Sequence, residues 1–214
     1  MRIVLLHAFP LDERMWAPQL EALEGDDVYA PSLYDLGGNS VDGWAEHVLE
    51  RAEGELVVVG ASLGGYVALA MARTSPGRVR ALLLAGARAT ADPPERRALR
   101  ERMLEVVRDE GIEGWNREFS PPGPGDRTTE ELVSGIEALR DRRDAAEVVS
   151  SFEGPLVVVV GDQDDLFPVD EARGMVESAP GGRLEVVEGA GHVVSADAPG
   201  RFNEILLELL RPDG

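Results

Sequence analysis

The 214-residue sequence has no cysteine, which removes disulfides, thiolate nucleophiles and cysteine-ligated metal sites together. It has no lysine either, so all 21 basic residues are arginines. A phosphate loop of the Walker type, which needs a lysine to reach the phosphates, is therefore excluded. Histidine is scarce, and only His7, His47 and His192 could supply an imidazole. Positive charge is outnumbered: 40 acidic residues against 21 basic ones give a formal net charge of -19, which repels the backbone of a nucleic acid and the anionic face of a membrane. Long apolar runs are missing as well. The opening run, residues 1–6, ends at His7 and is too brief for a signal peptide or a membrane span. A cytoplasmic protein without nucleic-acid or membrane partners is expected.

What is present suffices for one domain, since 43% of the residues are hydrophobic and the length is within the single-domain range. Four nearly continuous apolar runs occur at 3–6, 56–59, 81–85 and 156–160, all but that at 81–85 rich in β-branched residues. Their continuity suits strands buried on both faces. Helical spacing separates them at 41–52, 63–74 and 95–109, and two further short strands are expected at 27–29 and 183–187. Alternating strands and helices predict an α/β fold with a mostly parallel sheet covered on both sides. A closing amphipathic helix is expected over 199–210, with Pro199 in its first turn and Asp197 as its cap. Between about 92 and 150 no strand-like run occurs. A charged helical stretch leads into Ser120-Pro121-Pro122-Gly123-Pro124-Gly125, and another helix opens near Thr128 or Thr129, so a helical insertion over the sheet is expected there.

The strongest chemical signal is Leu56-Val57-Val58-Val59-Gly60-Ala61-Ser62-Leu63-Gly64-Gly65, a buried strand that turns through Gly-x-Ser-x-Gly into a helix. A serine on so sharp a turn needs strained backbone angles. Small residues two positions to either side let strand and helix approach while the hydroxyl stands clear. The following helix adds N–H groups and positive dipole where an oxyanion would form. Two blander readings compete, an ordinary helix N-cap and a dinucleotide-binding turn. The second needs glycine at 60, 62 and 65, yet position 62 is serine, which blocks close approach of a pyrophosphate.

A serine hydroxyl is a weak nucleophile until a base takes its proton and a carboxylate orients the base. In hydrolases built on this turn the chain order is serine, acid, histidine, and His192 is the one histidine beyond Ser62. His47 reads as a helix residue. For the acid, Gly161-Asp162-Gln163-Asp164-Asp165-Leu166-Phe167-Pro168 puts three carboxylates just past a buried strand, on the edge where parallel sheets bind ligands. The residues alone leave Asp162, Asp164 and Asp165 open, and a turn rich in aspartate is often only solvated.

On these motifs the chain resembles the α/β-hydrolase family over essentially its whole length. In that family the acid sits in Gly-x-x-Asp-x-x-x-Pro. Gly161 and Pro168 match, which implies Asp164 as the acid and Asp165 as the fallback. The histidine commonly sits in Gly-x-Gly-His, matched by Gly189 to His192, and the later Asp197-Ala198-Pro199 also matches, with Asp197 structural. The run His7-Ala8-Phe9-Pro10 corresponds to the family's oxyanion turn, although alanine at 8 departs from the commoner glycine. The resemblance implies that the Phe9 and Leu63 N–H groups are the two oxyanion donors, each worth about 2.7 to 4 kcal/mol in the transition state, and that His7 is a support. It further implies a hydrolase core at 1–91 and 151–214 with a trimmed N-terminus, and a helical cap at 92–150. Trp115 and Phe119, with Met103 and Leu132, could line the substrate pocket or merely hold the cap together.

Members with this layout include carboxylesterases, enol-lactonases, acyl-thioester hydrolases, carbon–carbon bond hydrolases and cofactor-free haloperoxidases or perhydrolases. Haloalkane dehalogenases and epoxide hydrolases use an aspartate nucleophile, and Ser62 argues against both. The expectation is a serine esterase that cleaves a small carboxylic ester or lactone without metal or organic cofactor, as a monomer or homodimer. Carbon–carbon bond hydrolysis, haloperoxidase or perhydrolase chemistry on the same triad, or a non-catalytic ligand-binding protein on the same sheet, are the alternatives.

Overall fold

The apolar runs become a six-stranded sheet in the computed structural model, which describes residues 1–119 and 126–211. In chain order the elements are β1 (Arg2–Leu6), α1 (Ala17–Ala22), β2 (Val28–Tyr29), α2 (Val41–Arg51), β3 (Leu56–Ala61), α3 (Leu63–Thr74), β4 (Val79–Ala85), α4 (Pro94–Glu118), α5 (Thr129–Asp141), α6 (Ala146–Ser151), β5 (Leu156–Gly161), α7 (Val169–Glu177), β6 (Gly182–Val187), α8 (Val194–Asp197) and α9 (Pro199–Leu209). The strand order is β2-β1-β3-β4-β5-β6, and every pair is parallel. Parallel pairing demands crossover helices, which cover both faces. That is why β3 and β5 are buried along their whole length and read as continuous apolar runs.

Successive side chains on each strand go to opposite faces. Val58, Leu82, Leu84, Val158 and Val160 pack with Trp44, Val67 and Met71 from α2 and α3. Val59, Leu83, Val157 and Val159 pack with Trp16, Phe202, Ile205 and Leu206. The sheet thus separates two cores, one under α2, α3 and α7 and the other under α1 and α9.

The short strands expected at 27–29 and 183–187 are β2 and β6. The helix expected at 95–109 continues to Glu118 through a break at Gly111 (φ 61°, ψ -149°), a conformation that glycine adopts without the steric cost of a Cβ. Thr128 caps α5, and its hydroxyl and the Glu131 carboxylate form a reciprocal capping box, which stops the helix from starting earlier. One expectation fails: Asp197 does not cap α9, whose N-cap is Ala198 with no side-chain bond. The Asp197 carboxylate instead accepts from the Gly191 N–H at 2.9 Å. The Pro- and Gly-rich run at 120–125 lies outside the described residues.

Between β4 and β5 the described residues include the helices α4, α5 and α6, with a small core of their own made by Leu104, Val107, Trp115, Leu132 and Ile136. The two ends of this segment are tied together by charge. Asp92, before α4, meets Arg142, after α5, at 2.8 Å, with both side chains almost wholly buried. The contact is poorly aligned as a hydrogen bond, and Arg142 Nε has no partner among the described residues. The Arg142 guanidinium also lies over the Tyr66 ring, 4.1 Å from its centre. Burial works to raise the Asp92 pKa, but Arg142 and then Arg100 outweigh it and hold the carboxyl below its ordinary value. Arg142→Met leaves that carboxylate buried without its main partner. It is expected to cost about 3 to 5 kcal/mol in urea denaturation, whereas Arg143→Ala, on an exposed pair, should stay within about 0.5 kcal/mol. Equal effects of the two would refute the pairing argument.

Candidate active site

Ser62 joins β3 to α3 at φ 47° and ψ -108°, and among the described residues it is the one non-glycine with positive φ. Such a conformation costs about 1 to 3 kcal/mol and persists only where the surroundings over-determine it. Here they do. A Cβ on Gly60 would strike the Gly64 carbonyl, and a Cβ on Gly64 would strike the Leu6 carbonyl at the end of β1. The Ser62 N–H donates to the Ala85 carbonyl at 2.7 Å and the Gly64 N–H to the His7 carbonyl at 3.0 Å. The turn is therefore pinned to β4 on one side and to the end of β1 on the other.

His192 Nε2 lies 3.0 Å from Ser62 Oγ, although 130 residues separate them in the chain. Its Nδ1 lies 2.8 Å from Asp164 Oδ2. A carboxylate at Nδ1 assigns the proton there, so Nδ1–H donates to Asp164 and Nε2 is left to accept from the Ser62 hydroxyl. The imidazole rests over Gly86, where an added Cβ would come within 3.0 Å of ring Cε1. Its loop is held from two sides: Asp162 Oδ1 accepts from the Gly189 N–H at 2.8 Å, and Asp197 accepts from Gly191 as described above. The second carboxylate oxygen of Asp164 accepts from the Leu166 and Phe167 N–H groups at 2.8 and 3.0 Å. Burial works to raise the Asp164 pKa. The His192 hydrogen bond and charge, with the two N–H groups, outweigh it and hold the carboxyl below its ordinary value, so it is ionised near neutral pH. Of the three candidate aspartates, Asp164 meets the imidazole, Asp162 braces the histidine loop, and Asp165 is exposed.

At the end of β1 the Ala8 N–H donates to Met15 Sδ at 3.2 Å, and the Ala8 methyl is absorbed into the core under α9. The Phe9 and Leu63 N–H groups donate to no protein atom among the described residues, which leaves both free for a ligand oxygen. The Cδ2–Cε2 edge of the Phe9 ring packs against Gly135 of α5, leaving no room there for a Cβ, and the ring meets Trp115 in a T-shaped contact with ring centres 5.5 Å apart. Trp115 is 4% exposed and contacts Phe119 at 5.3 Å. Trp115 therefore touches Phe9 directly, and Phe119 packs behind Trp115. Leu132 is buried in the small helical core and Met103 packs against it.

His7 is fully buried. Its Nε2 accepts from the Leu33 N–H at 2.9 Å and its Nδ1 pairs with the Ala8 carbonyl at 3.1 Å, so it props the turn that carries Phe9. His47 lies on α2, remote in sequence from each of these loops. Several structural partners had no signal in the sequence. Asp12 accepts from Arg127 at 2.6 Å, which ties the turn after Phe9 to the start of α5. Arg88 donates to the Leu166 carbonyl at 2.6 Å. Among the described residues no cluster of three or more His, Asp or Glu is placed to hold a metal ion. A groove of about 830 Å³ lined by Gly154, Leu156, Gly181 and Leu209 opens at the N-terminal ends of β5 and β6, the sheet edge away from Ser62.

Comparison with known proteins agrees with this layout. The model of the alpha/beta hydrolase family matches residues 3–205. The pimeloyl-acyl-carrier-protein methyl ester esterase of Aromatoleum aromaticum is 37% identical over 92 residues, which are 39% of this chain and 36% of that protein. The chain thus spans about a third of that relative in the match. The enzyme of the same name from Citrobacter koseri is 27% identical over 97% of this chain and 93% of its own length. Among solved structures, a thermophilic esterase from Thermogutta terrifontis superposes with a TM-score of 0.88 at 28% identity, over 99% of this chain and 89% of that one.

Burial lowers the His7 pKa to about 4 from an ordinary 6.5. A base whose folded pKa is depressed takes up its proton first in the unfolded chain, so the stability it supports is complete above 6.5 and is lost as pH falls towards 4. The loss is on the order of 3 kcal/mol. Melting temperature should fall between pH 7 and pH 4.5 in the wild type, and His7→Gln should flatten that fall. An equally steep decline in the variant would assign it to other groups.

Proposed function

We propose, from the premise that this chain belongs to the alpha/beta hydrolase family, that it is a serine hydrolase cleaving a small carboxylic ester or lactone through an acyl-Ser62 intermediate. The observation that carries this reading is the line of hydrogen bonds from Ser62 Oγ through His192 to Asp164, next to two unengaged N–H groups on Phe9 and Leu63. Its esterase relatives support the same class of chemistry.

As Ser62 Oγ attacks the acyl carbon, its proton passes to His192 Nε2, and the carbonyl oxygen becomes an oxyanion that accepts from Phe9 and Leu63. Asp164 stabilises the imidazolium without taking its proton. The tetrahedral adduct collapses, the acyl–oxygen bond breaks, and the leaving alkoxide takes the proton from His192. A water then gives a proton to His192 and attacks the acyl carbon. The carboxylic acid departs, and Ser62 recovers its proton. Acyl and proton transfers balance within these groups and one water, so the scheme calls for no cofactor.

The described residues of the 92–150 segment serve as a cap on this site. Their core reaches the oxyanion turn through Trp115 and Phe9, with Phe119 behind Trp115, so the shape of the acyl pocket depends on how α4 and α5 seat on Phe9.

Chromogenic esters graded by acyl length test the reading. Ser62→Ala should lose turnover by more than about a thousandfold, and a fluorophosphonate should label Ser62 in the wild type alone. Asp164→Asn should lose on the order of ten-thousandfold, with Asp165→Asn unchanged. Turnover that survives Ser62→Ala would overturn the assignment, and a large loss on Asp165→Asn would move the acid by one residue.

A further inference from the structure

The end of β4 and the loop that leaves it touch two members of the proposed triad, Ser62 and His192. Ala85 accepts from the Ser62 N–H, Gly86 lies under the His192 ring, and a Cβ on Gly65 of α3 would collide with that of Ala87. The next residue is Arg88, a buried guanidinium that the hydrolytic scheme does not use. It reaches the acid loop, where Nη2 donates to the Leu166 carbonyl at 2.6 Å and lies 3.2 Å from Glu171 Oε2 in the first turn of α7. The same Leu166 carbonyl accepts from Arg96 Nη2 of α4 at 3.2 Å.

That carbonyl and the Phe167 N–H belong to one peptide group. Its oxygen end faces two guanidinium groups, and its hydrogen end donates to Asp164 Oδ1 at 3.0 Å. Cations at the oxygen polarise the amide and make its N–H a stronger donor. They also fix the plane of a peptide that begins at an exposed residue, since Leu166 is 49% exposed. With Oδ1 held, Oδ2 is aimed at His192 Nδ1.

We propose that Arg88 is a positioning residue for the triad acid, holding the 166–167 peptide on Asp164, and that Arg96 extends the same hold to the cap. The inference rests on the serine-hydrolase reading above. It makes the seating of α4 a condition for the orientation of the imidazole, because one helix of the cap and one loop of the core grip the same carbonyl oxygen.

A double-mutant cycle separates this role from a merely structural one. Arg88→Met, Arg88→Lys and Arg96→Ala are each made in the wild type and in Asp164→Asn. For each, kcat and KM on a chromogenic ester and the rate of fluorophosphonate labelling of Ser62 are measured. Arg88→Met should lower kcat and labelling about 10- to 100-fold, with KM within about threefold. Arg88→Lys should recover part of that loss, and Arg96→Ala should cost about two- to fivefold. In the Asp164→Asn background all three effects should shrink to less than about twofold, because the group they act through is gone. Should Arg88→Met not fold, the other two variants carry the same comparison, Arg96 being at the surface. Equal losses in both backgrounds, or an unchanged kcat in the wild-type background, overturn the inference. Full activity of Asp164→Asn itself overturns the triad reading and this inference with it, whereas an Asp164-dependent enzyme indifferent to Arg88 and Arg96 overturns this inference alone.

Discussion

Three backbone segments meet at one point with no room for a side chain: the end of β1, the end of β3 and the start of α3. Gly60 and Gly64 permit the contact, since a methyl group on either would strike a carbonyl. The rest of the site follows from it. The crowding holds Ser62 in a conformation that L-residues avoid and sets the Gly64 N–H on the His7 carbonyl. The free N–H of Leu63 is thereby brought to the same corner as the free N–H of Phe9. The two N–H groups proposed as oxyanion donors thus come from segments more than fifty positions apart, and a close backbone approach brings those segments together.

The second constraint is electrostatic. The chain is strongly acidic, yet three of its arginines are largely buried, and each joins the helical segment between β4 and β5, or the acid loop, to the hydrolase core. Arg127 meets Asp12, Arg142 meets Asp92 and Tyr66, and Arg88 meets Leu166 and Glu171. A planar guanidinium can donate in several directions in its plane while stacking on an aromatic face, which an ammonium cannot do. A burial cost is incurred at each point, and it is offset only when the partners are in place. These contacts therefore specify one seating of α4 and α5 more than they add to stability. The Phe9 ring on Gly135 and Trp115 completes that seating with apolar surface, so the turn that carries Phe9 and the helical segment share one packing solution.

Much of this was legible in the sequence because it is local. Uninterrupted apolar runs mean strands covered on both faces, a rule that located β1, β3, β4 and β5, and Gly-x-Ser-x-Gly between strand and helix marks a strained turn by itself. The short helices α1, α6 and α8 were not legible. At four to six residues they carry too few periods for a pattern, and packing decides them. Asp197 shows the same limit at the scale of one side chain. Its position before Pro199 is that of a cap, but the loop of Gly191 comes within reach and takes its carboxylate.

Sequence alone determined the residue types and their order along the chain: a serine on a strand-to-helix turn, carboxylates past a later strand, and a histidine in a glycine loop near the end. Each of those is written in neighbouring residues, where backbone sterics and hydrophobic period act over a few positions. The local residues left the choice among Asp162, Asp164 and Asp165 open, resemblance to a family implied Asp164 and a supporting His7, and tertiary structure alone decided that Asp162 braces the histidine loop and that Arg88 and Arg96 meet at the Leu166 carbonyl. Those outcomes depend on distances between segments brought together by the parallel sheet, and a distance between remote segments is a property of how strands and helices pack, which no local pattern encodes.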